Sequence, residues 1–315
     1  MRLRLRRWIL GGLAALGLGA AASEIWPDRA AGLMLSGLNL ASKLDAGRVE
    51  ASFGPVHYLE GGQGETVVFL HGIYALKEHW VDMSRQISSD YRVILLDLPG
   101  FGQNPRLGAE AYDFDRQAQN VVEALDKIGV EQFHIAANSM AAQIAGQLAA
   151  QLGDRVRSVA FIGSPVGVRS PVRSDMEVAL SEGHRPLVVT NAAQYADRMA
   201  WLFPKKPFVP RPVARSWAAA EVANAEINLV IWDAVHGSSA APLEEIAPSL
   251  TQPTLVVWCR QDRIFHVSGA EVLDAALPDN RLIVPDGCGH LPMLDRAAQT
   301  GRDLLSFLKG LEGRS

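Results

Sequence analysis

Three residues have the types and the chain order that acyl transfer requires: Ser139, Asp262 and His290. A serine hydroxyl is a poor nucleophile until a base takes its proton. An imidazole can take it, and a carboxylate fixes the tautomer of that imidazole and stabilises its charged form. Ser139 lies in FHIAANSMAAQIA, which reads as a short buried strand, a sharp turn and an alanine-rich helix. Such an elbow strains the serine backbone and lifts the side chain clear of the sheet. The acid and then the histidine are expected on loops after later strands. Asp262 follows the apolar run TLVVWC, and His290 follows RLIVPD. Taken singly, Asp262 reads as a turn or helix-cap aspartate and His290 as a loop histidine. Their order after Ser139 predicts a triad. The other candidates fit less well: His57, His134, His184, His236 and His266 fall in strand, cap or helix-start contexts. Asp286 shares the histidine's own loop, and Asp233 lies in the segment between the two halves of the core.

The common elbow pattern is G-x-S-x-G, but here Ala137 and Ala141 stand at the glycine positions. Glycine suits them because strand and helix approach closely there. A methyl is the smallest intrusion, so the helix is expected to shift slightly and the turn to survive. An oxyanion hole needs two backbone N–H groups aimed at the developing charge. One is expected from Met140, after the nucleophile, and the other from Ile73, in the loop HGIYAL. His71 reads as a structural hydrogen-bonding histidine. The chemistry calls for no metal and no organic cofactor.

These residues need a scaffold. TVVFLHG, RVILLDLPGFG, FHIAANS, VRSVAFIG, TLVVWC and NRLIVPDG read as buried strands alternating with helices at 76–88, 114–128, 140–152 and 295–308. Apolar, β-branched runs in that rhythm imply a mostly parallel sheet covered on both faces, with function at the carboxyl ends of the strands. VEASFGPVHYLEGGQG reads as two further strands. Between 164 and 250 the rhythm breaks into a proline- and aromatic-rich stretch that reads as an inserted helical cap. The core is then 47–163 plus 251–315. A chain of 315 residues with 48% hydrophobic composition has ample core, and a net charge of −4 without a basic stripe excludes a nucleic-acid partner. Two cysteines exclude a disulfide scaffold. Cys259 and Cys288 read as two separate small buried residues, although an oxidising compartment would let them pair.

The N-terminus carries Arg2, Arg4, Arg6 and Arg7, then an uncharged apolar run over 8–22. The segment 1–26 reads as a membrane anchor, with a cleaved signal peptide as the alternative. The arginines place it with the following residues on the outer side. Residues 27–46 read as an amphipathic helix that starts at Pro27. Its stripe of Ala30, Leu33, Met34, Gly37, Leu38, Ala41 and Leu44 calls for a bilayer or a partner helix, and packing on the catalytic body is the alternative.

His71-Gly72, DLPGFG at 97–102, NSM at 138–140, QDRIF around Asp262 and GCGHLPM around His290 together resemble the α/β-hydrolase family over roughly residues 49–311. With the N-terminal segment and the cap stretch PLVVTNAAQYADRM, the chain is similar to membrane-anchored bacterial lipases and phospholipases A, and to monoacylglycerol lipases. That resemblance implies an α/β-hydrolase fold and hydrolysis of acyl esters of glycerolipids. It implies an uncleaved inner-membrane helix with a periplasmic catalytic domain, contact with membrane lipids, and homodimerisation through the N-terminal helices. Ala137, Ala141 and Ala142 stand where that group usually has glycine. A small-ester or carbon–carbon bond hydrolase on the same triad, and a catalytically weak lipid-binding protein, are the alternative functions.

Overall fold

Short runs of valine, isoleucine, leucine and phenylalanine build the centre of one sheet in this computed structural model, which describes residues 25–312. In chain order the elements are α1 (Pro27–Ala41), β1 (Asp45–Ala51), β2 (Gly54–Gly61), β3 (Thr66–Leu70), α2 (Val81–Ser84), β4 (Arg92–Leu96), α3 (Phe114–Ile128), β5 (Phe133–Ala137), α4 (Met140–Leu152) and β6 (Val156–Ile162). Helices α5 (Asp175–Ser181), α6 (Ala192–Leu202), α7 (Arg211–Ala223), α8 (Ala225–His236) and α9 (Leu243–Ile246) come next. Then follow β7 (Thr254–Val257), α10 (Ser268–Ala276), β8 (Asn280–Ile283), α11 (Pro292–Asp295) and α12 (Ala297–Lys309).

Among the described residues eight strands form one sheet in the order β1-β2-β4-β3-β5-β6-β7-β8. β1 and β2 pair antiparallel, β2 meets β4 antiparallel, and every pairing from β4 onward is parallel. The parallel strands β3 and β5 are buried at every position, as strands covered on both faces must be. One apolar cluster packs α3, α4 and α10 on one face, and a second packs α2 and α12 on the other. The strand order sets the carboxyl ends of β5, β6, β7 and β8 side by side. The loops that carry Ser139, Asp262 and His290 leave those ends.

Three local expectations change. The helix expected over 76–88 is a 3₁₀ turn at Lys77–Trp80 followed by the four-residue α2. Ser84 there bonds its hydroxyl back to the Val81 carbonyl at 2.9 Å, which competes with helix continuation. The closing helix expected over 295–308 is broken at Arg296 (φ −136°, ψ 40°), which separates α11 from α12. Cys259 and Cys288 form a disulfide. They sit on the loops after β7 and β8, neighbouring parallel strands, so the sheet itself brings together residues 29 apart in the chain.

α1 begins at Pro27 as expected but ends at Ala41 rather than at 46, because Asp45 already opens β1, and it packs against α7. Ala31 is buried and Leu38 joins the second apolar cluster, whereas Leu33 (76% exposed) and Leu40 (78%) face outward. One face thus packs on the body and another is left open. Among the described residues no helix is long and apolar enough to cross a membrane. Most of the segment expected as an anchor, residues 1–24, lies outside the described residues.

Removing the disulfide by Cys259→Ser with Cys288→Ser frees a 29-residue loop in the unfolded chain. The double variant is expected to lose roughly 2–4 kcal/mol in denaturant unfolding.

Candidate active site

Ser139 occupies the corner between β5 and α4 with φ 56° and ψ −117°, a conformation that non-glycine residues avoid. Such strain costs about 1–3 kcal/mol and persists only where the surroundings over-determine it. Here they do. The Asn138 backbone N–H donates to the Leu70 carbonyl at 3.2 Å, and its side-chain amide donates to the carbonyls of Ile162 (2.8 Å) and His290 (3.2 Å). The Val166 N–H donates to the Ser139 carbonyl at 3.1 Å. The first helical turn closes through Ala141 N–H to the Asn138 carbonyl and Ala142 N–H to the Ser139 carbonyl, each 3.0 Å. Ala137 and Ala141 are completely buried, so the corner accommodates both methyl groups. A glycine that this corner does need is Gly72. A Cβ there would stand 2.9 Å from Asn138 Oδ1 and 3.1 Å from Ser139 Cβ.

His290 Nδ1 lies 3.0 Å from Asp262 Oδ2, and both residues are buried. A carboxylate only accepts, so Nδ1 carries a proton and points it at Asp262, which leaves Nε2 as the ring nitrogen turned away from the carboxylate. Asp262 Oδ1 accepts the N–H groups of Ile264 (2.8 Å) and Phe265 (3.2 Å). Ser164, two residues beyond β6, reaches both members: its Oγ is 2.5 Å from Asp262 Oδ2 and 2.9 Å from His290 Nδ1. The His290 N–H donates to the Leu202 carbonyl at the end of α6 (2.9 Å), so the insertion helps to hold this loop. Gly289 allows that approach, since a Cβ there would meet the Leu202 oxygen at 2.4 Å. Asp286, the alternative acid, pairs with Arg260 at the surface, and Asp233 pairs with Arg185.

The loop after β3 carries Ile73, and Met140 opens α4, where a backbone N–H has no intrahelical acceptor. Tyr74, beside Ile73, also has positive φ (57°), and its hydroxyl donates to the Asn228 carbonyl on α8 at 2.6 Å. His71 donates from Nδ1 to the Gly72 carbonyl (2.8 Å) and accepts the Leu98 N–H on Nε2 (3.0 Å). Burial pushes its basicity down and keeps it neutral, which suits that acceptor role. Asp97 pins the same loop. It accepts the Lys77 N–H (2.9 Å) and ammonium (2.7 Å) and the Gln103 N–H (3.0 Å). Burial alone would pull the Lys77 ammonium down, but Asp97 and Glu78 beside it outweigh that and hold it above its ordinary value.

Ser139 and His290 both line one cavity. Its walls are mainly apolar: Ile73, Leu76, Leu187, Met199, Phe203 and Trp217 among them. Helices α6 and α7 supply much of this surface, and they pair Arg198 with Glu221 at 3.1 Å inside it. His79 also lines the wall, its basicity pushed by burial down to about 3, so it is neutral. Among the described residues no cluster of side chains could hold a metal ion.

Tyr74, Lys77 and Ser164 carry no signal in the sequence, and Asn138 shows there only as part of NSM. The pattern DLPGFG contains Asp97, but nothing local signals that its carboxylate reaches back to Lys77.

Comparison with known proteins matches residues 65–297 to the model of the alpha/beta hydrolase fold family. The chain is 25% identical over 261 residues to a monoacylglycerol lipase of Xenopus laevis, covering 80% of this chain and 77% of that protein. It is 25% identical over 260 residues to Lipase 1 of Psychrobacter immobilis, covering 82% and 81%. A crystal structure of a membrane phospholipase A, described as a bacterial virulence factor, superimposes with a TM-score of 0.88 at 30% identity, covering 98% of this chain and 99% of that one.

Lys77→Met leaves a buried carboxylate without its cation and is expected to cost roughly 3–5 kcal/mol in unfolding. Asp295, which accepts the Gly289 N–H at 2.7 Å, gives a pH test. Burial pushes its carboxyl up from 3.8 to about 6. The folded chain therefore holds this proton more tightly than the unfolded chain. The resulting destabilisation is complete above pH 6 and disappears below about pH 4. Asp295→Asn is expected to gain about 1 kcal/mol at pH 8, solvent screening the rest, and nothing at pH 4. Thermal unfolding of both proteins at the two pH values checks it.

Proposed function

Because the chain belongs to the alpha/beta hydrolase fold family, we propose that Ser139, His290 and Asp262 carry out hydrolysis of carboxylic esters of glycerolipids through an acyl-enzyme. The chain is a carboxylic ester hydrolase of the lipase type. The observation that carries the residue assignment is the strained Ser139 lining one apolar cavity with His290, whose other face is bound to Asp262. His290 Nε2 takes the hydroxyl proton as Ser139 Oγ attacks the ester carbonyl. The carbonyl oxygen gains negative charge, which the N–H groups of Ile73 and Met140 hold. The new imidazolium is stabilised by Asp262 and gives its proton to the departing alcohol. Water then repeats the sequence on the acyl-serine and releases the acid.

The apolar lining favours a long acyl chain over a small ester. A cap over residues 164–250 that closes on the cavity is part of the same reading. So is a lipid surface as partner. Ile25, Trp26, Leu33, Met34 and Leu40 are exposed around α1, and the structural relative is named as a membrane enzyme. Together with the arginine-rich segment ahead of it, this supports anchoring at 1–26 with the catalytic domain outside the inner membrane. The disulfide fits the oxidising environment there. The same exposed strip is where a second copy would dock in a homodimer.

Ser139→Ala is expected to abolish hydrolysis of monoacylglycerols and phospholipids while leaving the unfolding transition in place. Wild-type kcat/KM should rise from short to long acyl p-nitrophenyl esters. A preference for acetate would favour a small-ester hydrolase. Fractionation of the full chain with N-terminal sequencing tests the anchor: it should sediment with membranes and begin at Met1.

A further inference from the structure

We propose that Ser164 is a positioning residue of this site: its hydroxyl binds the Asp262 carboxylate and the His290 imidazole at once and keeps the ring's proton on Nδ1, away from Ser139. This rests on the acyl-enzyme reading above. Proton accounting leaves one arrangement. Asp262 Oδ2 can only accept, so the Ser164 O–H donates to it across 2.5 Å. That uses the one proton the hydroxyl has. Its oxygen then faces Nδ1 at 2.9 Å as an acceptor. The Nδ1–H is shared between Ser164 Oγ and Asp262 Oδ2, which stand 2.9 and 3.0 Å away.

Two consequences follow. With two acceptors on the Nδ1 side, the neutral ring has no reason to move its proton to Nε2, and the base stays free. When Nε2 takes the proton of Ser139, the positive charge that spreads to Nδ1–H meets an oxygen lone pair as well as the carboxylate. Ser164 is completely buried, and Asp262 and His290 nearly so, and water has no ready access to replace a lost hydroxyl. Ser164 is also held in place by its neighbours. Gly163 adopts φ 86° and donates its N–H to the Val257 carbonyl at 2.8 Å, and Pro165 follows. The third loop of the site, after β6, thereby joins the two after β7 and β8.

Three variants test it. Ser164→Ala deletes the hydroxyl. Ser164→Val and Ser164→Thr have the same shape and differ only in carrying it, so their comparison removes any effect of volume. On a long-chain monoacylglycerol, Ala and Val are expected to lower kcat about tenfold, the effect of one hydrogen bond, with KM within about twofold of wild type. Thr should keep most of kcat. Equal kcat for the Thr and Val variants, or a loss confined to KM, overturns the role of Ser164 while Ser139 is still required. Turnover that survives Ser139→Ala in the same assay overturns the acyl-enzyme reading instead.

Discussion

A hydrogen bond of 3.0 Å between His290 and Asp262, 28 residues apart in the chain, is the contact on which the site depends. Neither side chain means much without the other. An unpaired buried carboxylate would be costly, and an unoriented imidazole would be an indifferent base. The fold supplies this contact by setting β7 beside β8 in parallel, so that their carboxyl ends release two adjacent loops. The Cys259–Cys288 disulfide ties the same two loops together. The backbone N–H groups of Ile264 and Phe265 hold the second carboxylate oxygen, which fixes the first one toward the ring.

The elbow at Ser139 is the complementary constraint. Its backbone strain is sustained by bonds that leave in several directions, to the end of β3, the end of β6 and the histidine's own loop. Asn138 is the junction, since its side chain touches both the β6 end and the His290 carbonyl. Ser139, His290 and Asp262 are therefore parts of one hydrogen-bonded assembly, built from loops that the strand order gathers at the carboxyl ends of the strands. The loop that carries Ile73 hangs on the same framework through His71 and the buried Lys77–Asp97 pair. Tyr74 and the Leu202 carbonyl add links from the helical insertion to this framework, so groups that line the cavity also bear on the loops of Ile73 and His290.

Much of this was legible in the sequence because it is written in local pattern. The helices at Phe114–Ile128 and Met140–Leu152 have the bounds that hydrophobic period and the flanking turn residues imply. In the first of them Asp113 caps one end and left-handed Gly129 the other. The parallel sheet follows from apolar runs alternating with helices. What was not legible depends on distant partners. Ser164 looks like an ordinary loop serine until the β6 end is seen beside Asp262. Nothing beside Lys77 in the sequence signals that Asp97 lies 2.7 Å from its ammonium. The cysteines fall on neighbouring loops in the sequence, but nothing local to either one says that the two sulfurs meet. The stripe on α1 was readable as apolar, but which face would meet α7 was not.

The most direct test of the central contact is the rate at which a fluorophosphonate modifies the protein, followed by intact mass and peptide mapping, in wild type and in Asp262→Asn. The expected result is a single adduct on Ser139 in wild type, formed far more slowly in the variant, by a factor that can approach about 10⁴ in turnover when a triad loses its carboxylate. An adduct on another residue, or the same rate in both proteins, would contradict the account.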